Sequence, residues 1–420
     1  MKKKLTLAIV DQLVNSGSSF VCTILLARAL DELILGLFLS FNLFYLMCQS
    51  IQHSVISAPA YSLVPKIDEY IRRQKYFVYL IQRQIFLSFL CLCVYAWVGV
   101  ILIISNNLTL SIVTYIHYGF VLLALLAFDF TRKWLIANRR YKILVVVSTV
   151  RYLIQIAGIA FLSNIGSDKL IELANILMLA TALSIAVAFI KENYYFNLLL
   201  NSNYRIDRKT HAQHQKAALD LLPGAIMQWT SGGTYELQAL KLLGPSVFGV
   251  IKIVQSFVSP LNLINQFAEN WLIVLFSTKK IERKRKLLDL YRLRGLIKTV
   301  SSISFGIWTV NLVSPYLLSL LYGPEYIEYG FMVTGYLISL LLVVLNTAIR
   351  SYLTAKHSTT IIKFAYGGST VFALGSSYYL VQNFKLYGVI FGAISSQIIL
   401  LMCMVGYAYN AKDKSTTFIK

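Results

Sequence analysis

Long apolar runs separated by short polar connections fill almost the whole chain. Twelve runs can be marked: Leu5–Leu30, Ile34–Ala58, Ile81–Ser105, Leu108–Phe128, Ile143–Leu162, Leu170–Ile190, Leu219–Leu243, Val247–Leu272, Leu296–Leu321, Phe331–Ile349, Ile361–Leu380 and Gly388–Tyr409. Each holds roughly the 20 residues that a helix needs to cross about 30 Å of hydrocarbon. None shows the short apolar–polar alternation of a transmembrane β-strand. The pattern predicts an all-α integral membrane protein with about 12 transmembrane helices. Composition agrees: 57% of residues are hydrophobic and 14% are charged, against about 25% charged in a soluble domain. The first run follows three lysines, as a signal peptide would, but it continues to Leu30 without a small-residue cleavage site. It is therefore read as the first span.

Basic residues set the direction of the spans. Nearly all of the 39 lysines and arginines fall at the N-terminus, in every second connection, or at the C-terminus, while the alternate connections hold only Lys169, Lys241 and Lys385. Both termini are expected on the cytoplasmic side. Arg132 and Lys133 are read here as residues of the connection after the fourth run, and the segment from Lys279 to Lys298 as the most basic connection. The net charge of +21 thus marks topology against anionic lipid. A nucleic-acid partner would need a basic face on a folded soluble domain, and the sequence has none.

The longest polar stretch lies near the middle of the chain and divides it. The expected domains are a six-helix lobe over 1–190, a cytoplasmic linker over 191–216, a second six-helix lobe over 217–409, and a tail over 410–420. The halves resemble one another. Ser16-Gly17 in the first run precedes Gly36 at the opening of the second, and Ser231-Gly232 in the seventh precedes Gly249 in the eighth. Both second helices then reach a proline, Pro59 and Pro260. An even number of spans per half implies a parallel repeat, a common transporter plan.

Ionisable residues inside spans are the candidates for function, because each is costly in hydrocarbon and usually faces a cavity or a partner. Arg151 enters the fifth run by eight residues, about 12 Å at the helical rise, and has no acid in its own helix. Deep cations of this kind suit an anionic substrate. Arg28 ends the first run and either snorkels to headgroups or binds substrate. Lys252 and Glu236 sit at similar depth in adjacent spans, as an ion pair or as separate functional groups. Asp11 lies in the inner third of the first run. His53 is a hydrogen-bonded packing residue or a proton carrier. Arg83, Asp129, Glu269 and Arg350 fall near run ends and are read as interfacial. His211 and His214 fall in the linker and are read as solvated. The five cysteines all lie in apolar runs, so neither disulfides nor a metal site is expected, and no cofactor is implied. Gly388 and Gly392 have the spacing of a close helix contact.

The run from Leu26 to Phe38, with Ala27-Arg28-Ala29-Leu30 closing one span and Gly36 opening the next, resembles the start of the polysaccharide synthesis and export family. The turn Leu321-Tyr322-Gly323-Pro324-Glu325-Tyr326 and the segment Lys385-Leu386-Tyr387-Gly388, followed by Gly392, resemble two further motifs of that family. One departure is Asp31, where the family often has glycine. These are Wzx-type oligosaccharide flippases of the multidrug/oligosaccharidyl-lipid/polysaccharide (MOP) exporter superfamily. The resemblance implies a non-enzymatic carrier in the bacterial inner membrane. Its substrate would be an undecaprenyl-diphosphate-linked oligosaccharide, moved from the inner to the outer leaflet for surface polysaccharide such as O-antigen. Membrane lipids, a polysaccharide polymerase and a chain-length regulator would be its partners. Arg151, Arg28 and Lys252 would then meet the diphosphate, and Asp11, His53 or Glu236 would couple transport to a proton or ion gradient. A multidrug exporter of the same superfamily is the nearest alternative, and such exporters favour acidic cavities. A glycan polymerase or ligase would need a large external loop with a cluster of reactive side chains, whereas the external connections here are short.

Overall fold

A computed structural model describes residues 2–67, 69–104, 111–162, 169–191, 206–261, 309–310, 312–355 and 359–416. These residues are helical almost throughout, with no strand among them. Backbone N–H and C=O groups find no water within a bilayer, so each segment must satisfy its own hydrogen bonds. The protein is an all-α integral membrane protein. Among the described residues, eight helices are long and apolar enough to cross a membrane, and two shorter apolar helices, Pro245–Leu261 and Leu312–Tyr322, accompany them.

In chain order the helices are α1 (Lys2–Ala29), α2 (Glu32–Gln52), α3 (Tyr70–Ile104), α4 (Ile112–Ala137), α5 (Tyr141–Leu162), α6 (Lys169–Lys191), α7 (Arg208–Leu243), α8 (Pro245–Val258), α9 (Leu312–Tyr322), α10 (Gly330–Ala355) and α11 (Thr359–Thr416). Helix α2 is prolonged by a π-helical turn, His53–Ser57, and by a short helix, Ala58–Leu63. Helix α11 joins the last two predicted spans and is broken at Lys385.

Three boundaries differ from the sequence reading. Helix α3 begins at Tyr70 and α4 runs on to Ala137, so Arg132 and Lys133 are helical residues and not part of a connection. Helix α7 begins at Arg208, inside the stretch expected as linker. Charged residues had marked the ends of the runs, but a charge ends a hydropathy run without ending a helix when a partner satisfies it. The predicted spans Val247–Leu272 and Leu296–Leu321 are only partly within the described residues, and the basic segment from Lys279 to Lys298, with Glu269, lies outside them.

The chain forms two compact units. One comprises Met1–Ile34 and Ser40–Ile226, and the other Leu35–Leu39 and Met227–Lys420. The division falls within α7, not at either end of the stretch expected as linker. In the first unit α1 packs on α5, α5 on α6, α4 on α6 and α3 on α4. Phe128, Leu135, Leu144, Val147 and Ala188 form one of its buried clusters. In the second unit α8 packs on α10 and α10 on α11, around Leu353, Ile361, Tyr366, Leu400 and Met404.

The repeat is visible inside each unit. In the first, Tyr152 of α5 donates to Asn15 of α1 across 137 residues. In the second, Tyr235 of α7 pairs with Ser376 of α11 across 141 residues. First and fifth spans are thus tied alike in both. Gly17 and Gly232, the paired glycines of the repeat, both face open space.

The motif glycines sit where a side chain would collide. A Cβ at Gly36 would overlap the Pro245 carbonyl, one at Gly392 would enter the Tyr235 ring, and one at Gly323 would meet the Glu325 carboxylate. Gly323 also has φ 134°, which disfavours any other residue. Asp31, the departure, is extended (φ −66°), so glycine is not required there.

Candidate functional site

The first unit carries a chain of polar side chains across five helices, α1 to α5. From α1 comes Asp11, only 3% exposed, which accepts a hydrogen bond from Ser148 Oγ of α5 at 2.6 Å and one from Arg132 Nη2 of α4 at 2.8 Å. Next along α4, Asp129 is also buried and accepts from Gln49 Nε2 of α2 at 2.9 Å. Its second carboxylate oxygen lies 3.3 Å from Lys133 Nζ, close enough for charge pairing though not aligned as a hydrogen bond. The same ammonium is 3.3 Å from His53 Nδ1. Gln52, at the end of α2, donates to Gln84 Oε1 at 2.8 Å and to the Leu126 carbonyl at 2.9 Å.

Helix geometry explains the grouping. Asp129, Arg132 and Lys133 are spaced i, i+3 and i+4, so they rise on one face of α4. Ser148, Arg151 and Tyr152 have the same spacing on α5. Each buried carboxylate then has a cation, as burial requires.

Arg151 is the exception. Its guanidinium carbon lies 4.2 Å from the Phe128 ring centroid and 5.2 Å from that of Tyr152, and its Nε is buried with no hydrogen-bond partner. The group therefore contains three cations, Arg132, Lys133 and Arg151, against two carboxylates, Asp11 and Asp129. The surplus charge sits on a planar fork with unused donors, the shape that binds phosphate oxygens in pairs. Stacking on rings holds the plane without consuming those donors.

The remaining sequence candidates lie elsewhere. Arg28 is exposed in the last turn of α1. It stands thirteen residues beyond Asn15, the level of Tyr152, or about 20 Å at the helical rise, so the two arginines do not share one site. Lys252 and Glu236 belong to the second unit and are paired at 2.6 Å. Gln255 accepts from Lys252 and donates to Glu236 Oε1 at 2.7 Å and to Tyr336.

Two readings are corrected. Asp129 is buried and Arg132 and Lys133 are half-buried on the same helix, not residues of a connection; their i, i+3 and i+4 spacing was the signal available in the sequence. His214 is not solvated. It is 2% exposed, and Tyr76 Oη donates to its Nδ1 at 2.8 Å. Its other ring nitrogen bonds the Val55 carbonyl, and Pro59, four residues on from Val55, has no N–H to offer that group. Burial, with Arg83 and His211 nearby, holds the His214 pKa down to about 4. His211 Nε2 lies 3.4 Å from Arg83. No cluster of three or more metal-binding side chains occurs among the described residues.

No protein-family model and no curated protein matches the chain. Solved structures do. An inward-facing multidrug resistance MATE family transporter of the MOP superfamily matches with a TM-score of 0.74 at 11% identity, over 98% of this chain and 99% of its own. An outward-facing structure of such a transporter gives 0.63 at 13% identity, over 97% and 93%. A MOP superfamily transporter from Pyrococcus furiosus, described as having a binding pocket of reverse polarity, gives 0.60 at 12% identity, over 97% and 95%. The chain shares the fold of these transporters. At these identities the likeness speaks for the architecture of a multi-pass membrane protein built as two lobes.

Proposed function

We propose that the protein is a transporter working by alternating access, and that its substrate is an oligosaccharide linked to undecaprenyl diphosphate. One observation carries the substrate class: Arg151 is a half-buried cation whose buried Nε has no hydrogen-bond partner and which has no acidic partner among the described residues, in a polar group whose other charges are balanced. A sugar hydroxyl taken unpaired into hydrocarbon costs on the order of 4–8 kcal/mol, and a diphosphate far more. A multi-sugar headgroup therefore crosses only along a polar route. In this reading Arg151 meets the diphosphate in the membrane interior, and Arg28 meets it at the outer end of α1. Lys252 contributes only if substrate draws it from Glu236. Coupling to protons falls first to Asp11, because its protonation would release Arg132. His53 stands beside Lys133 and Asp129, and Glu236 is the candidate carboxylate of the second unit. The setting is a bacterial inner membrane, with a polymerase and a chain-length regulator as partners.

The test is surface polysaccharide in cells whose own gene is deleted and replaced by variants at normal protein level. Arg151→Ala abolishes export on this proposal. Arg151→Lys, which keeps the charge and loses the fork, retains part of it. Full export by Arg151→Ala would end the proposal.

A multidrug exporter is the second reading, favoured by the described activity of the neighbours with the same fold. It predicts loss of drug tolerance and intact surface glycan in the deletion strain.

A further inference from the structure

Within the second unit, a cavity of about 760 Å³ opens between the end of α7 and the break in α11. Its walls are apolar, including Leu242, Val247, Phe331, Tyr387 and Phe391, and its polar rim is Asn383 and Lys385. Phe331 and Tyr387 stack at 4.7 Å, and Phe391 continues the row at 6.4 Å from Tyr387. Tyr387 and Phe391 are half exposed, at 53% and 50%. The basic-residue pattern puts this end of the unit on the outer face, at the level where aromatic side chains meet lipid headgroups.

Lys385 is the unusual member. Its backbone (φ 48°, ψ −123°) has the angles of the first central position of a type II′ turn, which glycine dominates. The turn is tight, since a Cβ at Gly388 would strike the Leu380 carbonyl. A lysine there holds a strained conformation, and strain of this kind persists where a side chain has a use. Lys385 is exposed and forms no ion pair among the described residues. Of the other two lysines in outer connections, Lys169 caps α1 by donating to the Ala29 carbonyl at 2.9 Å. Lys241 is exposed and immediately precedes the lining residue Leu242. Lys385 thus lines the apolar cavity, Lys241 stands one residue before its wall, and no carboxylate lines it.

The geometry points to a binding site for an anionic phospholipid of the outer leaflet, its phosphate on Lys385 and Lys241 and its chain along Phe331, Tyr387 and Phe391. This inference does not depend on what the protein transports. A second lysine and the missing carboxylate favour a net negative headgroup over a zwitterionic one. The aromatic row supplies apolar contact at the depth where a chain leaves its headgroup.

The experiment is thermal unfolding of the full chain in an uncharged detergent, with added phosphatidylglycerol, phosphatidylcholine or inorganic phosphate. Phosphatidylglycerol raises the melting temperature of the wild type more than phosphatidylcholine does, and inorganic phosphate does not. Lys385→Gly melts about 1–3 °C higher without lipid, because the turn is relieved, yet loses most of the phosphatidylglycerol increment. Lys385→Gln loses the increment without that gain, and Lys241→Gln weakens it. Equal shifts from the two lipids overturn the proposal. So does an increment that survives in Lys385→Gly, or an equal shift with inorganic phosphate, which would make this a site for the free ion.

Discussion

Arg132 of α4 donates to Asp11 of α1 at 2.8 Å, and their side chains are only 12% and 4% exposed. A pair this deep adds little net stability, because desolvating both ions offsets their attraction, but removing one partner strands the other. Arg132→Leu alone should therefore destabilise the protein by about 3–5 kcal/mol, seen as a lower melting temperature in detergent. Asp11→Leu combined with Arg132→Leu should recover most of that loss. Asp11→Asn should fall between, since Ser148 keeps a partner. Melting of the double variant as low as that of Arg132→Leu would show that the pair has a role beyond neutralising itself.

The stacking of Arg151 on Phe128 gives a second expectation. Phe128→Leu keeps most of the volume and removes the π face, worth roughly 0.5–2 kcal/mol in contacts of this kind. The guanidinium then loses its fixed plane but not its charge. On the proposed function, polysaccharide export should fall several-fold at unchanged protein level, less than with Arg151→Ala. Export equal to wild type would mean that the ring only fills space.

The helical class and the two-lobe plan were legible because they rest on long apolar runs, which average over many residues. Arg151 stood out differently, as a single charge in a long apolar run. The network around it was not. Asp129, Arg132 and Lys133 close together at the end of a run look like a hydrophilic boundary, and only tertiary partners on α1 and α2 keep them inside. His214 was hidden likewise. Its neighbours Gln213, Gln215 and Lys216 make the segment read as solvated, while the groups that bury it, Tyr76, Tyr79 and Val55, lie more than a hundred residues away. The Lys252–Glu236 pair was anticipated as one of two options, because both charges fell at one depth in adjacent spans.

His214 gives a prediction in pH. The folded protein holds its imidazole neutral, with a pKa near 4 against about 6.5 in an unfolded chain. Between those values the unfolded state binds the extra proton, so stability rises with pH across the interval. The contribution is fully present above about pH 6.5 and declines as pH falls toward 4. His214→Gln cannot take up that proton, so the difference between melting temperatures at pH 7 and pH 5 should be smaller than in wild type. An unchanged difference would assign the acid sensitivity to another group.

The second unit offers the sharpest separation of structure from transport. Lys252 and Glu236, 13% and 15% exposed, form a closed circuit with Gln255, so the lysine has no spare charge while the pair is intact. Lys252→Met should destabilise strongly by leaving Glu236 alone in an apolar setting. Adding Glu236→Gln should restore the melting temperature, since the amide can still accept from Gln255 and meets no uncompensated charge. If the circuit is structural, the double variant also restores the polysaccharide export expected on the proposed function. If substrate draws Lys252 away during the cycle, the double variant folds but does not export. The geometry of the resting circuit favours the first result: every polar atom of the carboxylate already has a partner at 2.6 or 2.7 Å, and breaking it would cost the substrate binding energy that Arg151, with donors unused, does not require.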